Sequence, residues 1–99
     1  MDYQVILSRP AIRDLGEIAR YVAKDNSPAA EKVGLQLLTM AESLNLFPRR
    51  GGALKSRSGV RRRVQSPYLV TYRIDEAAKV VYVLRFWHAK RDLQNWRSE

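Results

Sequence analysis

Residues 60–88 read VRRRVQSPYLVTYRIDEAAKVVYVLRFWH, and the alternation within them decides the fold class. Val60 to Gln65 reads as a strand carrying Arg at three successive positions, so Arg61 and Arg63 fall on one face and Arg62 on the other. Ser66-Pro67 turns the chain. From Tyr68 to Ile74 a second strand sets Val70, Tyr72 and Ile74 on one face and Leu69, Thr71 and Arg73 on the other. Asp75 to Lys79 is a loop. Val80 to His88 is a long, nearly continuous apolar strand suited to a central place in a sheet. The short connections make the three strands an antiparallel meander. Arg85 interrupts the last strand, on the face opposite Leu84, Phe86 and His88, so that Arg73 and Arg85 are expected to line one sheet surface.

Upstream, Tyr3, Val5 and Leu7 alternate with neighbours in a short strand. Ser8 or Arg9 then precedes Pro10, which is tolerated in the first turn of a helix. Ile12, Leu15, Ile18, Ala19 and Val22 recur at helical spacing, with Arg13, Asp14, Glu17 and Arg20 largely on the other side; the helix runs for about fifteen residues. Asp25-Asn26-Ser27-Pro28 ends it, with Ser27 as the expected N-cap of the next helix and Pro28 its first residue. That second helix carries Ala30, Val33, Leu37, Met40, Ala41 and Leu44 on one face and ends before Pro48. The connection is short, which makes the helices an antiparallel hairpin, and their apolar stripes need a sheet to cover. The tail from Ala89 to Glu99 is expected to add a helical turn with Leu93 and Trp96. The fold class is therefore α+β, in the order β-α-α-β-β-β, an antiparallel sheet packed against an antiparallel helical hairpin, in one domain spanning residues 1–99.

The 99 residues hold 18 Lys+Arg against 10 Asp+Glu, a formal charge of +8, with a pI near 10.3. This charge is concentrated. Residues 43–74 contain no acid and eight bases: Arg49, Arg50, Lys55, Arg57, Arg61, Arg62, Arg63 and Arg73. Arginine forks onto carboxylates and phosphates alike, so such a surface suits an anionic partner, either nucleic acid or an acidic protein; the competing reading is a solvated basic face with no partner. The length supports one modest core. The absence of cysteine excludes disulfides and thiolate chemistry. No apolar run is long enough for a transmembrane helix and no signal peptide opens the chain, so a cytoplasmic protein without membrane partners is expected.

Much chemistry is excluded by residue type. One histidine and no cysteine leave no metal site, and no cofactor is expected. Gly51-Gly52 lacks the spacing of a phosphate-binding loop, and no serine lies in a nucleophile elbow. A helix-turn-helix over residues 10–44 would need base-reading side chains, whereas residues 29–44 offer only Glu31, Lys32, Gln36, Thr39 and Glu42. What remains is an arginine-rich set with His88. Guanidinium groups stabilise charge on a phosphodiester and a histidine moves protons; together they describe a metal-independent ribonuclease. The competing reading is structural: Arg85 pairs with an acid such as Asp75 or Asp92, and His88 ends a strand.

Several stretches resemble the RelE/ParE toxins. Arg13 to Val22 is similar to the "DL..I..Y" helix of that family, and Leu46-Phe47-Pro48-Arg49-Arg50-Gly51 to its "L…P..G" helix exit. Gly59-Val60-Arg61 with Pro67 to Ile74 resembles the "G.R … Y…YR." hairpin, and Val83 to Asp92 the closing "ilR..H..rd" strand. The resemblance covers residues 3 to about 92 in order. It implies two helices on an antiparallel sheet, and a toxin of a type II toxin–antitoxin pair associated with plasmid stabilisation or stress response. Such a toxin is neutralised, as a hetero-oligomer, by a ParD- or RelB-like antitoxin with an acidic segment.

Two branches are implied. RelE-like toxins cut mRNA on the ribosome, and here Arg62, Arg73, Arg85 and His88 would carry that role. ParE-like toxins are associated with inhibition of DNA gyrase and have no known hydrolytic site. The RelE pattern places Arg after the first Tyr of the hairpin, where this chain has Leu69, and a Tyr near the end, where this chain has none after Tyr82. These features favour the ParE branch, an inhibitor rather than an enzyme. Target or antitoxin contacts are then expected at Arg49, Arg50, Arg57, Arg61, Arg63, Arg85, Lys90 and Arg91. A member that only binds its antitoxin is a third reading.

Overall fold

A computed structural model describes residues 2–54 and 57–92 of the chain. Strand β1 (Gln4–Leu7) leads into helix α1 (Arg9–Ala23) and helix α2 (Ser27–Glu42), followed by a 3-10 turn at Ser43–Asn45. Strands β2 (Gly52–Ala53), β3 (Val60–Gln65), β4 (Tyr68–Asp75) and β5 (Val80–His88) complete a five-stranded sheet in the order β1-β5-β4-β3-β2. The helical hairpin and the β3-β4-β5 meander match the sequence-based expectation.

The sheet differs from it in two respects. It is not wholly antiparallel: β1 lies parallel to β5, Gln4 opposite Val80 and Leu7 opposite Val83. A long apolar strand needs neighbours on both sides, and β1 supplies the second one for the first half of β5. The two-residue β2 adds an edge, pairing Gly52 with Arg62 and Ala53 with Arg61. A strand that short has no period to detect.

The helix caps combine local chemistry with packing. Ser8 accepts a hydrogen bond from Ala11 N at 3.2 Å and so caps α1, with Pro10 in the first turn. Asn26, not Ser27, caps α2, accepting from Ala29 N at 3.1 Å. Both residue types suit the position, and Asn26 is the one held extended, with φ −160°.

The main core lies between helices and sheet: Ala11, Ile18, Leu37, Met40, Ala41 and Leu44 against Val70, Tyr72, Val81, Val83 and Phe86. The α1 stripe is rotated from the expected one. Ile12 is exposed, whereas Asp14 is buried. Asp14 follows Ala11 by three residues and precedes Ile18 by four, so it shares their face. A second cluster, Leu54, Val60, Leu69 and Trp87, occupies the opposite side of the sheet. In β5 the register slips, with Thr71 opposite Arg85 and Tyr72 opposite Val83, so that Leu84 is the extra residue of a bulge. Leu84 therefore packs with the second cluster and Phe86 with the first, not on one face as strict alternation implies. The expected helical turn carrying Leu93 and Trp96 lies outside the described residues.

Candidate functional site

The three consecutive arginines of β3 separate as alternation requires. Arg61 stands opposite Tyr72 and Arg63 opposite Val70, both on the helix side. Arg62 stands opposite Thr71, on the other side, where Arg73 also falls opposite Val60. Both Arg61 and Arg63 are half-buried, and their Nε atoms are buried without a hydrogen-bond partner. A buried unmet donor costs about 1–3 kcal/mol, more when charged; the outer ends of the two half-buried guanidinium groups are the parts left to meet an anion.

Each arginine opens into its own concavity. Arg61 shares a cavity of about 500 Å³ with Arg49, Arg57 and Glu76. Glu76 is the one acid of that lining and is already engaged by Arg49 and by the Tyr3 hydroxyl, which donates to it at 2.8 Å. Arg63 lies in a groove of about 460 Å³ between β3 and α2, with Lys32, Leu35, Met40 and Arg50. Leu35 is 58% exposed there. Beyond Arg62 the outer edge of β3 has no partner strand among the described residues. The result is a cationic, partly apolar surface beside an open strand edge, which suits an acidic, extended polypeptide.

Arg85 is placed elsewhere. Its Nε and one Nη donate to the two carboxylate oxygens of Asp14 at 2.7 and 2.9 Å, and its guanidinium lies 4.3 Å from the Trp87 ring. The expected acids, Asp75 and Asp92, serve other groups: Asp75 accepts from Ala78 N and Asp92 from His88 N. The reason is the length of β1. Past Leu7 the edge of β5 has no strand beside it among the described residues, and side chains complete it. Ser8 Oγ donates to Leu84 O at 2.8 Å, Asp14 accepts from Phe86 N at 3.0 Å, and Asp92 accepts from His88 N at 2.9 Å. Asp14, expected on the polar side of α1, thus locks the helix to β5, a role that only the fold reveals.

His88 belongs to the same edge. Its Nδ1 accepts from Arg91 N at 3.1 Å, and its ring meets Tyr68 edge-on at 5.5 Å. Arg91 lies over the Tyr21 ring at 4.7 Å. Arg85 and Arg91 share a small cavity with Asp14, Glu17 and Asp92. Of the residues singled out from sequence, Arg49, Arg50, Arg57, Arg61 and Arg63 are therefore brought together. Arg85 and Arg91 form a separate, acid-balanced cluster, and Lys90 is exposed at the end of β5. No cluster of three or more His, Cys, Asp or Glu able to hold a metal occurs among the described residues, and none of their helices is long and apolar enough to cross a membrane.

Two residues that the sequence did not advertise hold the arginine surface in shape. The buried Tyr72 hydroxyl donates to Pro48 O at 2.7 Å and accepts from Gly51 N at 3.0 Å. A Cβ on Gly51 would fall 2.1 Å from Arg62 O, so only glycine lets this loop lie against β3.

Residues 5–93 match the family described as the ParE toxin of type II toxin–antitoxin systems, parDE. The chain belongs to this family. The toxin is 32% identical over 88 residues to Toxin RelE2 of Caulobacter vibrioides, covering 89% of this chain and 97% of that protein. Its fold is similar to the RelBE2 toxin–antitoxin complex of Mycobacterium tuberculosis (TM-score 0.70, 24% identity, 89% of this chain and 99% of that one). It is also similar to a chromosomal ParDE system of P. aeruginosa (TM-score 0.75, 22% identity, 87% and 95%). Two helices on a five-stranded sheet are thus the RelE/ParE architecture, and the protein is a type II toxin of that superfamily.

Proposed function

We propose that the toxin is a ParE-like inhibitor of DNA gyrase, neutralised by a cognate antitoxin whose acidic segment occupies the arginine surface of β3. The observation that carries the ParE-like reading is Leu69. Where the nuclease pattern has an arginine, this leucine is 1% exposed and packed with Val60 and Trp87. It offers no donor to a phosphodiester. Arg85 and His88 support the same reading, since the Arg85 guanidinium is held by Asp14 and the His88 Nδ1 accepts from Arg91 N. The family match over residues 5–93 is consistent with it. The deciding experiment is a DNA supercoiling assay on purified gyrase. Inhibition that rises with toxin and is relieved by antitoxin is expected; full activity at saturating toxin would sink the gyrase reading.

A RelE-like, ribosome-dependent endonuclease is the second reading. It is favoured by the relative that bears the RelE2 name and by Arg62 and Arg73 lying on one sheet face. Mapping mRNA 5′ ends on stalled ribosomes separates the two, because only the nuclease leaves new ends. For the antitoxin, Arg61→Glu with Arg63→Glu should weaken the complex and flatten its salt dependence. Unchanged binding would place the interface elsewhere.

A further inference from the structure

The segment after α2 exposes two adjacent large apolar side chains, Leu46 at 56% and Phe47 at 59%. The loop that carries them is pinned at several points. Tyr72 holds Pro48 and Gly51 from below, and Arg50 N donates to Phe47 O at 3.1 Å. Tyr3 and Pro48 complete an open cup of about 490 Å³ around Leu46 and Phe47. The Tyr3 wall is fixed in turn through its hydrogen bond to Glu76. An ordered apolar concavity facing water, rimmed by charge, is the form of a binding hot spot.

The cup is continuous with the arginine surface on both sides. Arg50 borders the cup and also lines the α2–β3 groove that holds Arg63, with its guanidinium 5.5 Å from the Phe47 ring centroid. Arg49 borders the cup and also lines the cavity that holds Arg57 and Arg61. Arginines therefore flank one apolar socket, Arg63 in the concavity on one side and Arg57 and Arg61 in that on the other.

We propose that this cup receives a bulky apolar side chain of a single acidic polypeptide segment, whose carboxylates bind Arg63 and Arg50 before the cup and Arg49, Arg57 and Arg61 beyond it. The inference rests on the reading that an antitoxin neutralises this toxin, and it names what that antitoxin segment must carry: an apolar anchor between two acidic stretches. Charge complementarity selects this occupant, because Arg50 and Arg63 on one side of the cup and Arg49, Arg57 and Arg61 on the other offer guanidinium groups to its carboxylates. A second copy of the chain is a poorer fit, since a two-fold contact through the cup sets Arg49 and Arg50 of one molecule against those of the other. A nucleic acid satisfies the arginines but has no aliphatic group for Leu46 and Pro48.

The test is a titration of the toxin with its full-length cognate antitoxin over a range of salt. Phe47→Gln with Leu46→Gln changes only exposed groups, so circular dichroism should show an unaltered fold. Affinity should fall about tenfold or more with the salt slope unchanged. Arg50→Gln, also exposed, should lower affinity and flatten the slope. If the Leu46 and Phe47 substitutions leave affinity intact while Arg61→Glu and Arg63→Glu destroy it, the cup is wrong and the antitoxin reading stands. No binding by the unaltered toxin overturns both. A single-stranded oligonucleotide bound through Phe47, or a toxin dimer abolished by Phe47→Gln, overturns the proposed occupant.

Discussion

Asp14→Ala removes one carboxylate that serves three donors: Arg85 Nε at 2.7 Å, an Arg85 Nη at 2.9 Å and Phe86 N at 3.0 Å. The Asp14 side chain is 7% exposed and that of Arg85 31%. Breaking a buried pair costs about 3–5 kcal/mol, because the remaining charge is left without its partner. Arg85 is exposed enough to recover some hydration, which argues for the lower end, about 3 kcal/mol. In a domain of this size each kcal/mol lowers Tm by roughly 4–8 °C, so a fall of about 12–24 °C is expected. Urea unfolding should show a lower midpoint with an unchanged m value, as befits lost stability rather than altered compactness. A double-mutant cycle with Arg85→Met isolates the pair. Once Asp14 is gone, removing Arg85 should cost far less than in the unaltered protein, giving a coupling energy of about 1.5 kcal/mol or more. Additive effects, or an Asp14→Ala variant within about 1 kcal/mol of the parent, would refute the argument that this carboxylate locks α1 to β5.

Three further outcomes are expected. Gly51→Ala sets a Cβ against Arg62 O and should detach the β2 edge, visible as faster amide exchange at the strands of the Gly52–Arg62 pair; undiminished protection would contradict it. Tyr72→Phe orphans Pro48 O and Gly51 N and should cost about 1–3 kcal/mol in urea unfolding, with the loop carrying Phe47 exchanging faster. His88→Ala removes the ring contacts to Arg91 N and Tyr68 and should preserve growth arrest on expression without antitoxin while modestly lowering Tm; lost toxicity at unchanged stability would instead assign His88 a chemical role.

The helices, the meander and the arginine-rich strand were legible because each rests on a local period. Ile18, Leu37, Met40 and Leu44 recur at helical spacing, and Val70 and Tyr72 at strand spacing, so their burial follows from the pattern. The separation of Arg61 and Arg63 from Arg62 is equally local, since adjacent strand side chains point apart. Where the reading erred, a non-local contact had overridden the period. The β5 bulge placed Leu84 and Phe86 on opposite faces. The short β1 left backbone groups that Ser8 and Asp14 completed, which drew an acid into the core and engaged Arg85 with it.

The sequence by itself determined the order of the two helices and the four longer strands, the concentration of charge in residues 43–74 and the leucine at position 69. Composition and periodicity are properties of the chain, and no folding is needed to read them. Only the tertiary structure decided which arginines act together. Arg85 and Arg91, though basic, settle among Asp14, Glu17 and Asp92. Arg49, Arg50, Arg57, Arg61 and Arg63 gather in three adjoining concavities about the loop that carries Phe47. The physical reason is that a charge is defined by its neighbours: an arginine beside a buried carboxylate is a structural tie, while arginines that line open concavities with a single acid among them are left to meet an anion.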